Sequence, residues 1–404
     1  LLDVAGLRSG DVRLILVQDR TLNAFVARGQ NIFLHTGLLT ETETAGEIAG
    51  VLAHEIGHIS GGHLARLPEA LDNLAIQNFI ALILGAAAGA LSGDAGVGAG
   101  VMTGAQSSAL RSTLAYTRQQ ESSADAAALT FLDRVGWSAA GFSRFMSKLG
   151  DQELLYSANQ DPYFRTHPLT RGRVSAINGH VSGRGARFAE PPREFEAAMA
   201  RVRAKIIGFL DGRIAVGRRY PSSDNSDAAL FARAVAAYRT SDLGVARTLT
   251  EQLIGRSPRD PYYREFLGDV QLSAGDARTA AQNYREAVGL APDQPLLRFA
   301  QGRALLQIGD QASFEQAVAA FRAGLRSEPD NPRAWRDLSI ALGRSGEVGR
   351  ADLAFAESAF LVGDFAAARE RGERARQRIP AGDPARLRAA DLVQAAELEL
   401  ANRR

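Results

Sequence analysis

Four alanines in the C-terminal half recur at nearly even intervals. Ala246, Ala280, Ala317 and Ala351 are spaced by 34, 37 and 34 residues, Pro258, Pro292 and Pro329 by 34 and 37, and Gly268 and Gly302 by 34. Such a period admits few folds. A repeat of this size is a pair of antiparallel helices that cannot bury its apolar face alone, so neighbours must stack into a solenoid. The clearest unit runs Leu267, Gly268, Ala280, Tyr284, Ala287, Pro292; its small residues let two helices approach and Tyr284 fills the gap between them. The next has Gly302, Leu305, Ala317, Phe321 and Pro329, with three extra residues around 311–313. Trp335, Leu338, Ala351 and Phe355 start a third, and Gly363, Asp364, Phe365, Ala368, Ala375 and Pro380 read as a further half-unit. Ala234, Tyr238 and Ala246 mark a degenerate opening unit, and 383–402 is expected to cap the array.

The period is that of tetratricopeptide repeats. It assigns 226–404 to an α-solenoid, and the polar, Pro- and Ser-bearing stretch 216–225 to a linker. A chain of 404 residues with 46% hydrophobic content has room for two or three domains, so 1–215 is expected to be a domain of its own. Within it, 13–18 and 31–36 read as short strands and Asn23 to Val26 as another extended piece before a turn at Arg28, Gly29 and Gln30. Strand 31–36 is either a core strand or an edge that receives an extended substrate by strand addition. Helical patterns follow at 106–134, 139–149 and 192–210. The fold class is therefore α+β, mostly α, with a small sheet.

Composition narrows function by exclusion. The formal net charge is only +2 and the basic residues do not cluster, so nucleic acid is not an expected partner. There is no Cys, which excludes disulfides, thiolate metal sites and a Cys nucleophile. Between Asn73 and Leu110 the only charged residue is Asp94. The run 74–91 is apolar but has Gln77 and Asn78 at one end and is diluted by Ala and Gly. A spanning helix, tight packing through Gly85 and Gly89, and a flap making peripheral membrane contact over 74–93 are the readings it supports. The Gly-rich 93–104 reads as a loop. The chain opens at Leu1 with no Met and no leader, so any export signal is expected to have been removed or to lie outside these residues.

The chemistry centres on residues 50–63, GVLAHEIGHISGGH. His54-Glu55-Ile56-Gly57-His58 is an H-E-x-x-H pattern, and Val51, Leu52 and Ile56 around it suit a buried helix. Two His four apart project from one helical face within reach of one metal ion, and the intervening Glu can take a proton from water there. A metzincin completion fails in register: the third His would fall at Leu64, whereas His63 is one short and, on a continued helix, would face away as a helix-end or surface residue. Without Cys, the third ligand is expected to be a carboxylate from a second helix, the gluzincin arrangement, with Glu121 the best candidate. Asp125, one turn on, can accept the free N–H of a ligating His.

HEIGH, then Glu121 to Asp125 as E-x-x-x-D, then Thr166-His167-Pro168 with Arg173 six beyond the His, together resemble the HtpX/BepA-type zinc metallopeptidases. Asn23-Ala24-Phe25 and Thr36-Gly37-Leu38-Leu39 match the same pattern, and the repeat tail is similar to that of the BepA-like periplasmic members. The resemblance spans essentially the whole chain but for the family's signal peptide and leading helix. It implies one zinc ion on His54, His58 and Glu121, with Glu55 catalytic, in a zincin-like domain. It also implies a periplasmic role in outer-membrane protein assembly and quality control, with the repeats binding assembly machinery or misfolded substrate. The expected reaction is peptide hydrolysis, with His167 or Arg173 stabilising the oxyanion; alternatively His167 swings in as a fourth metal ligand and holds the enzyme latent. The competing readings are a tetratricopeptide chaperone or scaffold with a latent site, and an integral membrane protease.

Overall fold

A computed structural model describes residues 1–27, 29–63, 104–155, 167, 169–184 and 187–403. Arg28, the apolar run 74–93, the Gly-rich stretch up to 103, and Thr166 and Pro168 lie outside the described residues. The chain divides into two compact units, Leu1–Ile207 and Gly208–Arg404.

The first unit opens with a sheet of three strands, β1 (Arg13–Val17), β2 (Ala24–Ala27) and β3 (Asn31–His35), in the order β1-β3-β2. β3 pairs parallel with β1 and antiparallel with β2, so it is central and both its edges are taken. This corrects the strand-addition reading of 31–36: among the described residues, β1 and β2 are the strands with an unpaired side. Ala24, Val26, Ile32 and Leu34 point to one buried face and join Ile48, Val51 and Ile56 in the core. Helices α1 (Thr36–Glu41), α2 (Ala45–Ser60), α3 (Gly104–Arg134), α4 (Ala140–Leu155), α5 (Arg171–Arg184) and α6 (Arg193–Leu210) follow. Phe142, Phe145, Met146 and Leu149 of α4 are almost fully buried in the same core as the sheet and α2. Among the described residues no helix is long and apolar enough to cross a membrane.

The boundary between units falls at Ile207 and Gly208, ahead of the expected end near 215. Part of the anticipated linker is also helical, as α7 (Arg213–Arg219). The second unit then stacks helix pairs: α8 (Asp227–Arg239) with α9 (Leu243–Arg256), α10 (Pro261–Ser273) with α11 (Ala277–Leu290), α12 (Pro295–Ile308) with α13 (Gln311–Ser327), α14 (Pro332–Arg344) with α15 (Val348–Leu361), and α16 (Phe365–Arg378) with α17 (Pro384–Asn402). The punctuation is local chemistry. Asp260, Asn331 and Asp383 each cap a helix through the side chain, and each is followed by a proline at the first helical position, where no N–H is required. A Cβ on Gly268 would lie 2.8 Å from the Tyr284 ring, and one on Gly302 2.7 Å from Phe321, so the periodic glycines are the seats of the periodic aromatics. The three extra residues at 311–313 extend a helix rather than a loop: α13 has 17 residues where α11 and α15 have 14.

Because each pair buries its core against its neighbours, residues 208–404 expressed alone are expected to be helical and to unfold cooperatively. Far-ultraviolet circular dichroism with a thermal melt checks this; a coil spectrum would show that the array does not carry its own core.

Candidate metal centre

Helix α2 starts at Thr44, whose hydroxyl accepts from the Glu47 N–H at 3.2 Å while a Glu47 carboxylate oxygen accepts from the Glu43 N–H at 2.9 Å. The helix is buried on most of its circumference, and neighbours come close at its glycines. At Gly50 an added Cβ would collide with Phe142 of α4. At Gly57, between the two histidines, it would lie 2.8 Å from the Ala124 carbonyl of α3. That contact carries Glu121 and Asp125, the residues flanking Ala124 on α3, up to the HEIGH face.

Four side chains converge there, with ligand atoms of His54, His58, Glu121 and His167 all within 4.8 Å of one another. His54 Nε2 is 3.1 Å from His58 Nε2 and 3.2 Å from His167 Nδ1. Glu121 Oε2 is 3.3 Å from His54 Nε2, Glu121 Oε1 is 3.3 Å from His58 Nε2, and both oxygens are 3.2 Å from His167 Nδ1. Four ligands at zinc bond lengths of about 2.0–2.1 Å define a tetrahedron with edges of about 3.3 Å. The residues fit such an ion.

Each imidazole also has something to hold its other nitrogen. His54 Nδ1 is 2.9 Å from Asp125 Oδ1, a close ion-pair contact rather than a well-directed hydrogen bond. His167 Nε2 donates to the Ala24 carbonyl at 3.2 Å, which leaves Nδ1 as the nitrogen facing the cluster. Burial presses His54 down, but Asp125 and Glu121 outweigh it and raise its pKa to about 9. Burial lowers His58. It pushes Glu121 up, yet His167, His54 and His58 hold that carboxyl well below the usual carboxylate range. Asp125 likewise resists burial through Arg173 and His54 and stays low. Both carboxylates are therefore held as anions, the form that ligation or acceptance requires.

Glu55 is different. It is fully buried, and among the described residues neither carboxylate oxygen has a hydrogen-bond partner; His167 Nε2 stands 3.5 Å from Oε1. A buried carboxylate with no hydrogen bond is costly, and a catalytic role is one recognised reason for a folded protein to keep one.

Residues 1–181 match the model of peptidase family M48, and segments 231–295, 267–313 and 299–359 match a tetratricopeptide repeat. These matches indicate a metallopeptidase, with an M48-type peptidase region in the first unit and tetratricopeptide repeats in the second. A beta-barrel assembly-enhancing protease of Yersinia pestis is 26% identical over 355 residues, 86% of this chain and 71% of the relative. One from Escherichia coli is 24% identical over 341 residues, 81% of this chain and 66% of the relative. Among solved structures, MamA of Desulfovibrio magneticus covers 44% of this chain and 97% of its own at a TM-score of 0.34 and 14% identity.

Two residues of this metallopeptidase stand where the sequence did not put them. Arg173, from α5, is buried: its Nε and Nη2 donate to Asp125 at 2.6 and 2.8 Å, and its Nη1 is 2.9 Å from Glu121 Oε2. Its guanidinium thus spans the two carboxylates that face the histidines. His63, expected at the helix end or the surface and facing away from the histidines, lies just past the helix end but is 8% exposed with its Nδ1 3.0 Å from His58 Nδ1. The helix ends at Ser60, and Gly62 in the left-handed region (φ 62°) turns the chain back over it. The paired glycines after HEIGH were the available signal, because a helix that stops there cannot carry His63 around to the far side.

Gly57→Ala sets the backbone contact against the chemistry. The added methyl has only the Ala124 backbone to displace, so a loss of about 1–3 kcal/mol in stability is expected together with weaker metal retention. Thermal denaturation and metal content after dialysis measure the two.

Proposed function

We propose that this chain is a zinc-dependent endopeptidase that cleaves misfolded or stalled outer-membrane proteins in the periplasm. The observation that carries it is the convergence of His54, His58, Glu121 and His167 within 4.8 Å beside a buried Glu55 that has no hydrogen-bond partner among the described residues. In this reading 1–215 is the peptidase domain, 216–225 joins it to the array, and 226–404 binds substrate or outer-membrane assembly machinery. The names of the Yersinia and Escherichia relatives support the assembly role.

His54, His58 and Glu121 hold the ion in the working enzyme. When bound, zinc supplies Lewis acidity that makes water a nucleophile near neutral pH and polarises a carbonyl. Glu55 takes the proton from the attacking water and returns it to the leaving amine, a task for which an unpartnered carboxylate oxygen is free. Asp125 keeps His54 presenting Nε2, and Arg173 keeps Asp125 and Glu121 ionised and aimed. That role occupies the guanidinium and leaves oxyanion stabilisation to other groups. The open edge of β2 receives an extended substrate, which suits unfolded polypeptide.

His167 completes the ligand set and so occupies the place a reacting water needs. We read it as a latch, which makes the resting site latent and gives the repeats scope for chaperone-like binding without cleavage.

Glu55→Gln is expected to retain about one zinc per chain and to lose cleavage of an unfolded outer-membrane protein, because the proton acceptor is not a ligand. Cleavage by that variant would refute the mechanism. His54→Ala and Glu121→Ala should instead lose the metal. His167→Ala is expected to keep zinc and cleave casein faster than the parent; a fall of about 10²-fold would mark an oxyanion donor instead.

A further inference from the structure

We propose that His63 is a positioning residue for the metal centre: its Nδ1 accepts the Nδ1–H of His58 and thereby fixes the tautomer and ring plane in which His58 presents Nε2. The inference rests on the reading of His54, His58 and Glu121 as zinc ligands.

Three imidazoles face the cluster, and each must keep its proton on the nitrogen that points away. His54 has a carboxylate for that purpose, Asp125, at 2.9 Å. His167 has a backbone carbonyl, Ala24, at 3.2 Å. For His58 the group facing Nδ1 is His63 Nδ1 at 3.0 Å, its ring set edge-on at an interplanar angle of 80°. With Nε2 turned to Glu121 and His54, the His58 proton belongs on Nδ1. Only one of two facing nitrogens can carry the proton, so His63 is the acceptor and its own proton sits on Nε2.

The local backbone is built for this contact. Gly61 N–H bonds back to the Gly57 carbonyl at 2.9 Å and Gly62 N–H to Ile59 at 3.0 Å, closing the helix, and Gly62 at φ 62° reverses the chain. The His63 ring then lies over Gly61 so closely that a Cβ there would sit 2.5 Å from Nε2. Gln120 Nε2, one residue before Glu121, donates to the His63 carbonyl at 3.3 Å and ties the turn to α3. A helix-end histidine serving only the helix dipole would stand in water; this one is buried against a ligand.

Zinc affinity of the full chain, measured by competition with a chromophoric chelator, tests the proposal. His63→Leu keeps the side chain's shape but offers no acceptor, and is expected to raise the zinc Kd by about 10- to 100-fold. His63→Asn places a carbonyl oxygen where Nδ1 was and is expected to bind close to the parent. Gly61→Ala, which drives the ring off its seat while leaving His63 in place, should fall with His63→Leu. Nitrogen-15 imidazole correlation spectra of the zinc-loaded parent should show His58 protonated on Nδ1 and His63 on Nε2. A parent Kd in His63→Leu, an equal loss in His63→Asn and His63→Leu, or a proton on His63 Nδ1 in the parent spectrum would each overturn the inference. Zinc binding that survives His58→Ala would instead overturn the ligand reading on which it stands.

Discussion

Glu121 and Asp125 sit one turn apart on α3, 2% and 5% exposed, and two carboxylates so close and so dry repel one another while forfeiting their hydration. The Arg173 guanidinium makes the pair tolerable, gripping Asp125 through Nε and Nη2 and reaching Glu121 through Nη1. The histidines share the task, since His167, His54 and His58 hold Glu121 low while Arg173 and His54 do so for Asp125. If one carboxylate took up a proton instead, a neutral Glu121 would be a poor ligand, or a neutral Asp125 a poor anchor for His54. Arginine suits the post because its planar fork can serve two anions at once, where a lysine ammonium is a single point charge.

Those charges meet only because the backbones come close. Gly57 stands between the two histidines where α3 passes over α2, and Gly50, two turns earlier, admits Phe142 from α4. The same glycines that lower helix propensity in α2 thus determine its distance from both neighbours. Gly50 and Gly57 therefore belong to the site's chemistry as much as the histidines of α2 do, one link removed.

Much of this was legible in the chain. The repeat array announced itself through Ala280, Ala317 and their neighbours, because stacked helix pairs impose one spacing on every residue at their contacts. HEIGH fixed a helical face, and the lack of Cys turned the search for a third ligand towards carboxylates such as Glu121. What sequence could not supply was contact across distant segments. β3 reads the same as a central or an edge strand, since its pairing is decided by β1 and β2. Arg173 reads as an oxyanion donor until α5 is packed against α3 and its guanidinium is taken up by Asp125 and Glu121. His63 was misplaced because a helix was extended through Gly61 and Gly62, where the structure turns back.

The four clustered side chains are not equally anchored. His54, His58 and Glu121 stand on two long helices locked together at Gly57, whereas His167 lies outside any helix or strand, ahead of α5. Its Nε2 donates to the Ala24 carbonyl and lies 3.5 Å from Glu55. In the antiparallel pair of β2 with β3, Asn23 bonds inward to His35, so the alternate residue Ala24 turns its carbonyl to the open edge. That carbonyl is among the first acceptors an extended chain would meet on joining β2. On the proposed reading, an added strand would compete with His167 for that oxygen, which would couple substrate pairing at the edge to release of the latch.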